Sequence, residues 1–214
     1  MSEEVAITCV FLDIGGVLLT NGWDHLARKR AAEHFQLESA EMEKRHHLTF
    51  EIYETGKLTM AEYLDMVVFY QKRPFNSDQF REFIYAQTQP YLEMIELIRA
   101  LKAWHNVKII AVNNEARELN AHRIQKFKLD AFIDSFASSG FVHMRKPDPD
   151  IFRLALDIAQ VPAEQVVFID DQPLFVQVAE GLGIRGIVHT EYRSTGVQLA
   201  SLGLHTHQVR NHAG

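Results

Sequence analysis

At 214 residues and 24.6 kDa, the chain has room for one full domain plus a substantial insertion, and it can bury a sizeable core. With 47% hydrophobic and 23% charged residues it is excluded from the disordered and fibrous classes. Acidic residues outnumber basic ones, 28 to 22, for a formal net charge of -6, and no run of Lys and Arg offers a footprint for nucleic acid.

From the start of the chain, Val5 to Leu19 is mostly apolar. Glu3 and Glu4 flank it where a signal peptide would carry basic residues, and Asp13 interrupts it, so neither a signal peptide nor a membrane span is expected. The single cysteine, Cys9, has no partner for an intramolecular disulfide. A cytoplasmic protein in a reducing compartment, with no membrane partner, is the expectation.

Three short apolar runs end alike. Ala6 to Leu12 runs into Asp13, Val107 to Val112 into Asn113 and Asn114, and Val166 to Ile169 into Asp170 and Asp171. Their length and β-branched content predict strands buried on both faces, as in a parallel sheet. Ala131 to Ser135 leads toward a further strand, and Gly186 to His189 reads as another. Between the strands, Met94, Leu97, Ile98, Leu101 and Trp104 recur at helical spacing, and Asp148-Pro149 is a helix start for Ile151, Phe152, Ala155 and Ile158. A helix with Val176 and Ala179 is expected to stop at Gly183. Alternating strands and helices imply an α/β fold with a doubly wound parallel sheet.

The stretch 21–88 breaks the alternation and reads as successive helices. Thr59 and Glu62 form a capping box before Tyr63, Leu64, Val67 and Val68, Gly56 can end the preceding helix, and Ser77 can cap the segment holding Phe80, Phe83 and Ile84. The expected organisation is a core of residues 1–20 and 89–214 with an all-helical cap over 21–88. The cap aromatics Trp23, Tyr53, Tyr63, Phe69 and Tyr70 are expected to pack helices, and His205, His207 and His212 to lie in a solvated end.

Ligands of an open parallel sheet bind beyond the carboxyl ends of its strands. That edge would collect Asp13, Asn113, Asn114, Asp170 and Asp171, with Lys146 just before a helix. Carboxylates held close raise each other's pKa unless a cation relieves them; an oxygen-bound Mg²⁺ does so, and Lys146 would help.

Asp13-Ile14-Gly15-Gly16-Val17-Leu18 after its apolar run resembles the first motif of the haloacid dehalogenase-like hydrolases. Asn113-Asn114 resembles their second motif, Lys146-Pro147-Asp148-Pro149 their third, and Phe168-Ile169-Asp170-Asp171 their fourth, in the right order over nearly the whole chain. The resemblance implies a Rossmann-like core in which Asp13 attacks phosphorus or carbon and water then hydrolyses the covalent intermediate. It also implies a small-molecule substrate, with a phosphate ester preferred. In the phosphatase branch, Mg²⁺ would be held by Asp13, the carbonyl of Gly15 and an acid of the fourth motif, Asp171 first and Asp170 second. Lys146 and Asn113 would assist catalysis, and Asn114 and Gly16 would bind substrate, although Gly15 and Gly16 also suit a sharp turn.

Two positions depart from the family pattern. Gly15 stands where most phosphatases carry a second Asp as general acid and base, a contribution of about 10²–10⁴ in rate. Asn113 replaces the usual Ser or Thr, though its amide can still donate a hydrogen bond. Asp24, His25 and Glu115 are the candidates to supply the missing proton. Three functions follow: a Mg²⁺-dependent phosphatase, a metal-independent 2-haloacid dehalogenase-type hydrolase, and a catalytically silent binding or regulatory protein.

Overall fold

In the computed structural model, which describes residues 5–206, the apolar runs form one five-stranded parallel sheet. Its strands are β1 (Cys9–Leu12), β2 (Lys108–Ala111), β3 (Ser135–Phe136), β4 (Val166–Asp170) and β5 (Arg185–Val188), in the order β3-β2-β1-β4-β5. The pairing sets Leu12 beside Ala111 on one side and Ile169 on the other. The strands therefore end together, and Asp13, Asn113 and Asp170 leave the sheet along one edge. The order reverses at β1, so the crevice beyond its carboxyl end is where such a sheet binds ligands.

Side chains alternate between the sheet faces, and both faces are covered. Val10, Leu12, Ile109, Ala111, Val167 and Ile169 pack against Met94, Leu97, Ile98 and Leu101 of α5 (Leu92–His105) and Leu199 of α10 (Tyr192–Ser201). Cys9, Phe11, Ile110 and Phe168 face Ile151, Phe152, Ala155 and Ala159 of α8 (Pro149–Ala159) and Val176 and Ala179 of α9 (Pro173–Glu180). Full burial of each such aliphatic or aromatic side chain is worth roughly 1.5–3 kcal/mol, which makes this double-sided core the main source of stability. Trp104, placed by periodicity on the buried stripe of α5, is 48% exposed at its far end. The helix that was to reach Gly183 ends earlier, at Glu180, and Gly183 serves the following turn with φ +85°.

Four helices lie between β1 and α5: α1 (His25–His34), α2 (Ser39–Glu54), α3 (Met60–Val67) and α4 (Ser77–Ala86). They surround an apolar cluster of their own, with Trp23, Tyr53, Tyr63 and Phe80 at its centre, closed from below by Ala116 and Leu119. Tyr53 and Tyr63 stack with centroids 4.0 Å apart, whereas Tyr70 lies at the surface under the Arg45 guanidinium. The Thr59–Glu62 capping box starts α3 as expected. At α4 it is Asn76, not Ser77, that caps, because Asn76 Oδ1 accepts from the amide of Gln79 and Gln79 reaches back.

The two ends of this helical segment run side by side. Thr20 N donates to Gln89 O at 2.8 Å and Tyr91 N to Leu18 O at 2.8 Å. A second contact holds the helices to the sheet edge: Ser139 Oγ donates to Glu54 O at 2.7 Å and Arg145 pairs with Glu54 at 2.9 Å. Gly56, with φ +67°, fits there because a Cβ would meet Gly140 O at 2.2 Å. His205 falls at the end of the described residues, and His207 and His212 lie outside them.

Candidate active site

Asp13 follows β1 and is 8% exposed. Its Oδ1 accepts from Lys146 Nζ at 2.9 Å, and the same ammonium donates to Asp170 Oδ2 at 2.5 Å. Lys146 is 1% exposed and comes to this spot because Asn114 grips its backbone from both sides: Asn114 Nδ2 donates to Lys146 O and Asn114 Oδ1 accepts from Lys146 N, each at 2.8 Å. Burial works against the ammonium, but the carboxylates of Asp13 and Asp170 outweigh it and raise its pKa. The two carboxylates thus favour the charged form of Lys146.

Asp170 is fully buried at the end of β4 and has both oxygens engaged, Oδ2 with Lys146 and Oδ1 with the amide of Gln172 at 2.8 Å. Asp171 is partly exposed and lines the crevice over Asp13, together with Gly15 and Gln172. One oxygen from each of Asp13, Asp170 and Asp171 lies within 4.8 Å of the others. Burial pushes all three carboxyls above the ordinary range, partly offset by Lys146. Three acids face one ammonium, and hard oxygen donors so arranged suit a divalent cation such as Mg²⁺.

The glycines of the first turn have separate tasks. A Cβ on Gly15 would meet Asn21 Oδ1 at 2.6 Å, so the space of the missing acid is filled by the Asn21 amide. Gly16, with φ +81°, leaves room for Asp171, whose Oδ2 would lie 2.3 Å from a Cβ there. Gly16 was expected to touch substrate; instead its amide donates to Leu19 O at 2.7 Å, and it borders a different cavity with Tyr91 and Tyr192.

Asn113 also departs from expectation. Its amide is turned inward, accepting from Ser138 Oγ at 2.6 Å and donating to Asn120 Oδ1 at 3.2 Å, while Asn114 faces the crevice. Successive residues leaving a strand point to opposite sides, and here the second of the pair faces the site.

The crevice above Asp13 encloses about 120 Å³ and shares Asn21, Asn114 and Glu115 as a wall with a cavity of about 280 Å³ beneath the helices. That second space is bounded by Trp23, Asp24, His25, Arg28, His46, Tyr53 and Glu54, a mostly polar lining. Tyr63 Oη accepts from Trp23 Nε1 at 2.8 Å and sits 2.7 Å from His46 Nδ1. Burial, with Arg28 nearby, lowers the His46 pKa to about 4, so its ring is neutral at pH 7 and its Nδ1 can accept the hydrogen bond that the Tyr63 hydroxyl donates. Asn21, Arg28, His46, Glu54 and Arg123 were not anticipated from the sequence, where no motif marks them. Gln172 was within reach, since it directly follows the fourth motif.

A parallel sheet that gathers a buried Asp, its ammonium partner and two further carboxylates at one edge has the equipment of an Asp-based hydrolase. The chain belongs to the haloacid dehalogenase-like hydrolases, whose family model matches residues 7–183. It is similar to the sesquiterpene phosphatase astK of Aspergillus oryzae, 28% identical over 114 residues, which are 53% of this chain and 58% of that protein. It is also similar to the phosphorylated carbohydrates phosphatase of Thermotoga maritima, 26% identical over 101 residues, 46% of this chain and 45% of that protein. The chain thus spans about half the length of the curated relatives it matches. Among solved structures, the HAD family enzyme bt-2542 of Bacteroides thetaiotaomicron superposes with a TM-score of 0.75 at 21% identity, over 86% of this chain and 94% of its own. That protein has also been solved in complex with magnesium and inorganic phosphate, with a TM-score of 0.73, 21% identity and coverage of 86% and 95%. At this identity the likeness shows the fold alone.

Proposed function

We propose that the protein is a Mg²⁺-dependent phosphatase for a small phosphorylated metabolite, working through a phosphoryl group carried on Asp13. The observation that carries this reading is the convergence of Asp13, Lys146, Asp170 and Asp171 at the polar crevice on the carboxyl edge of the sheet. The names of the two relatives and the magnesium and phosphate held by the Bacteroides enzyme support it.

Lys146 engages Asp13 Oδ1, which leaves Oδ2 as the attacking oxygen. Its attack on phosphorus forms the Asp13–phosphate bond and breaks the bond to the leaving oxygen. Water then attacks the same phosphorus, releasing phosphate and restoring the carboxylate. Lys146 holds the nucleophile in place through both steps and neutralises charge at the sheet edge. Asp13, Asp171 and the Gly15 carbonyl would hold Mg²⁺, with Asp170 the second choice among the fourth-motif acids because both its oxygens already have partners. When bound, the cation would offset the negative charge of the phosphoryl oxygens. Helices α1–α4 would act as the cap that admits a small polar leaving group and keeps out bulky ones.

The test is hydrolysis of p-nitrophenyl phosphate and a panel of sugar and nucleotide phosphates, with Mg²⁺ and with chelator, beside Asp13→Asn. Turnover that needs Mg²⁺ and vanishes in Asp13→Asn is expected. Silence of the folded protein across the panel, or turnover surviving in Asp13→Asn, would overturn the reading.

A further inference from the structure

Resting on that phosphatase reading, we propose that Glu115 is the acid–base catalyst, giving its proton to the leaving oxygen and then taking one from the attacking water. Gly15 has no proton to give, and Asn21, which fills its side-chain space, is an amide. The proton must come from elsewhere, and the three candidates near the site differ in placement. Asp24 spends its Oδ1 on the N-cap of α1, accepting from Ala27 N at 2.8 Å, and Asp24 and His25 line only the cavity beneath the helices. Glu115 lines both that cavity and the crevice over Asp13, at the boundary where the phosphoryl group would end and the leaving group begin.

The surroundings hold it there. Its backbone is fixed: Glu115 N donates to Ser139 Oγ at 2.9 Å, and Glu115 O accepts from Gly140 N at 3.1 Å. Its Oε2 accepts from Arg123, on α6 (Arg117–Phe127), and the Arg123 guanidinium is anchored by a 2.6 Å bond to Thr20 O. That guanidinium Nη1 stands 3.9 Å from where a Cβ on Gly15 would be. Arg123 thereby links the Glu115 carboxyl to the side-chain space of Gly15, and both residues line the crevice over Asp13. Burial lifts the carboxyl to about 7, with Arg123 opposing and Glu54 of α2 reinforcing the rise. The other acidic and basic groups lining the two spaces are Asp24, His25, Arg28 and His46 beneath the helices and Asp13, Lys146 and Asp171 in the crevice. A carboxyl poised near neutrality can both donate and accept. The cycle balances: Asp13 bonds to phosphorus, the leaving oxygen departs with the Glu115 proton as an alcohol, and water returns a proton to Glu115 as its oxygen bonds to phosphorus.

A leaving group that is a weak base needs no proton, and an alkoxide does, so two esters separate this role from a structural one. In the Mg²⁺-loaded full chain, Glu115→Gln is expected to lower kcat/KM for an alkyl ester such as glycerol phosphate by about 10²–10⁴. For p-nitrophenyl phosphate kcat/KM should fall by less than about tenfold, with a burst of p-nitrophenol as phosphorylated Asp13 accumulates. The wild-type alkyl-ester profile should decline as pH rises through about 7, a limb that Glu115→Gln removes. Glu115→Asp, which keeps the acid and its pairing to Arg123, should retain that limb and part of the rate, and it serves if the Gln variant does not fold. Equal losses on both esters without a burst, or no loss on either, would overturn the proposal. Absence of any wild-type turnover would instead remove the phosphatase reading beneath it, and the proposal with it.

Discussion

Asp171 rests its carboxylate on the backbone of Gly16, so closely that a Cβ at Gly16 would lie 2.3 Å from Asp171 Oδ2. The turn after β1 thus gives the fourth-motif carboxylate its seat. Gly16→Ala should push Asp171 out of the crevice and strain a residue held at φ +81°, costing about 1–3 kcal/mol. Urea unfolding would show the loss of stability, and steady-state kinetics a matching loss of turnover. Native values of both would remove this role for Gly16.

Lys146 is the one ammonium in contact with two buried carboxylates among the described residues. Lys146→Met keeps the length of the side chain and removes its charge, leaving Asp13 and Asp170 unpaired. Breaking a buried pair in this way costs about 3–5 kcal/mol. The same variant is expected to have no measurable turnover. A Lys146→Met protein as stable as wild type in denaturant would show that the carboxylates do not depend on the ammonium.

The cluster of Asp13, Asp170 and Asp171 predicts stabilisation by Mg²⁺ without any substrate. Binding to the folded chain alone contributes about 2.7 kcal/mol at a hundredfold excess over Kd. For a chain of this size that raises Tm by roughly 5–11 °C. Asp171→Asn should remove most of the rise. An unchanged Tm on adding Mg²⁺, or an equal rise in Asp171→Asn, would exclude Asp171 as the ligand.

Tyr63 ties Trp23 to His46 beneath the helices, with bonds of 2.8 and 2.7 Å. Tyr63→Phe leaves both ring nitrogens without this partner and should cost about 1–3 kcal/mol. Because His46 lines the cavity while the proposed nucleophile is Asp13, KM should rise with little change in kcat. A selective fall in kcat would place Tyr63 in the chemical step instead.

Much of this architecture is written locally. The three central strands, β1, β2 and β4, come from apolar runs of the kind buried on both faces, and each run gives way to polar residues at its carboxyl end, which is how Asp13, Asn113 and Asp170 came to share one edge. The capping box at Thr59 and Glu62 and the start at Asp148-Pro149 are likewise signals carried within four residues.

What tertiary structure alone decided is which side chains meet. The inward turn of Asn113 depends on Ser138 and Asn120, and the placement of Glu115 on Arg123 and on the Ser139 turn. Asn21 enters the space left by Gly15, and Gly16 yields its own to Asp171. No local motif links these partners, some of them neighbours in the chain and others far apart, and their pairing follows from close packing, in which each side chain takes the space its neighbours leave. Periodicity and capping specify the backbone and its faces. The rotamers that turn a row of polar residues into a site are settled only when the helices close over the sheet edge.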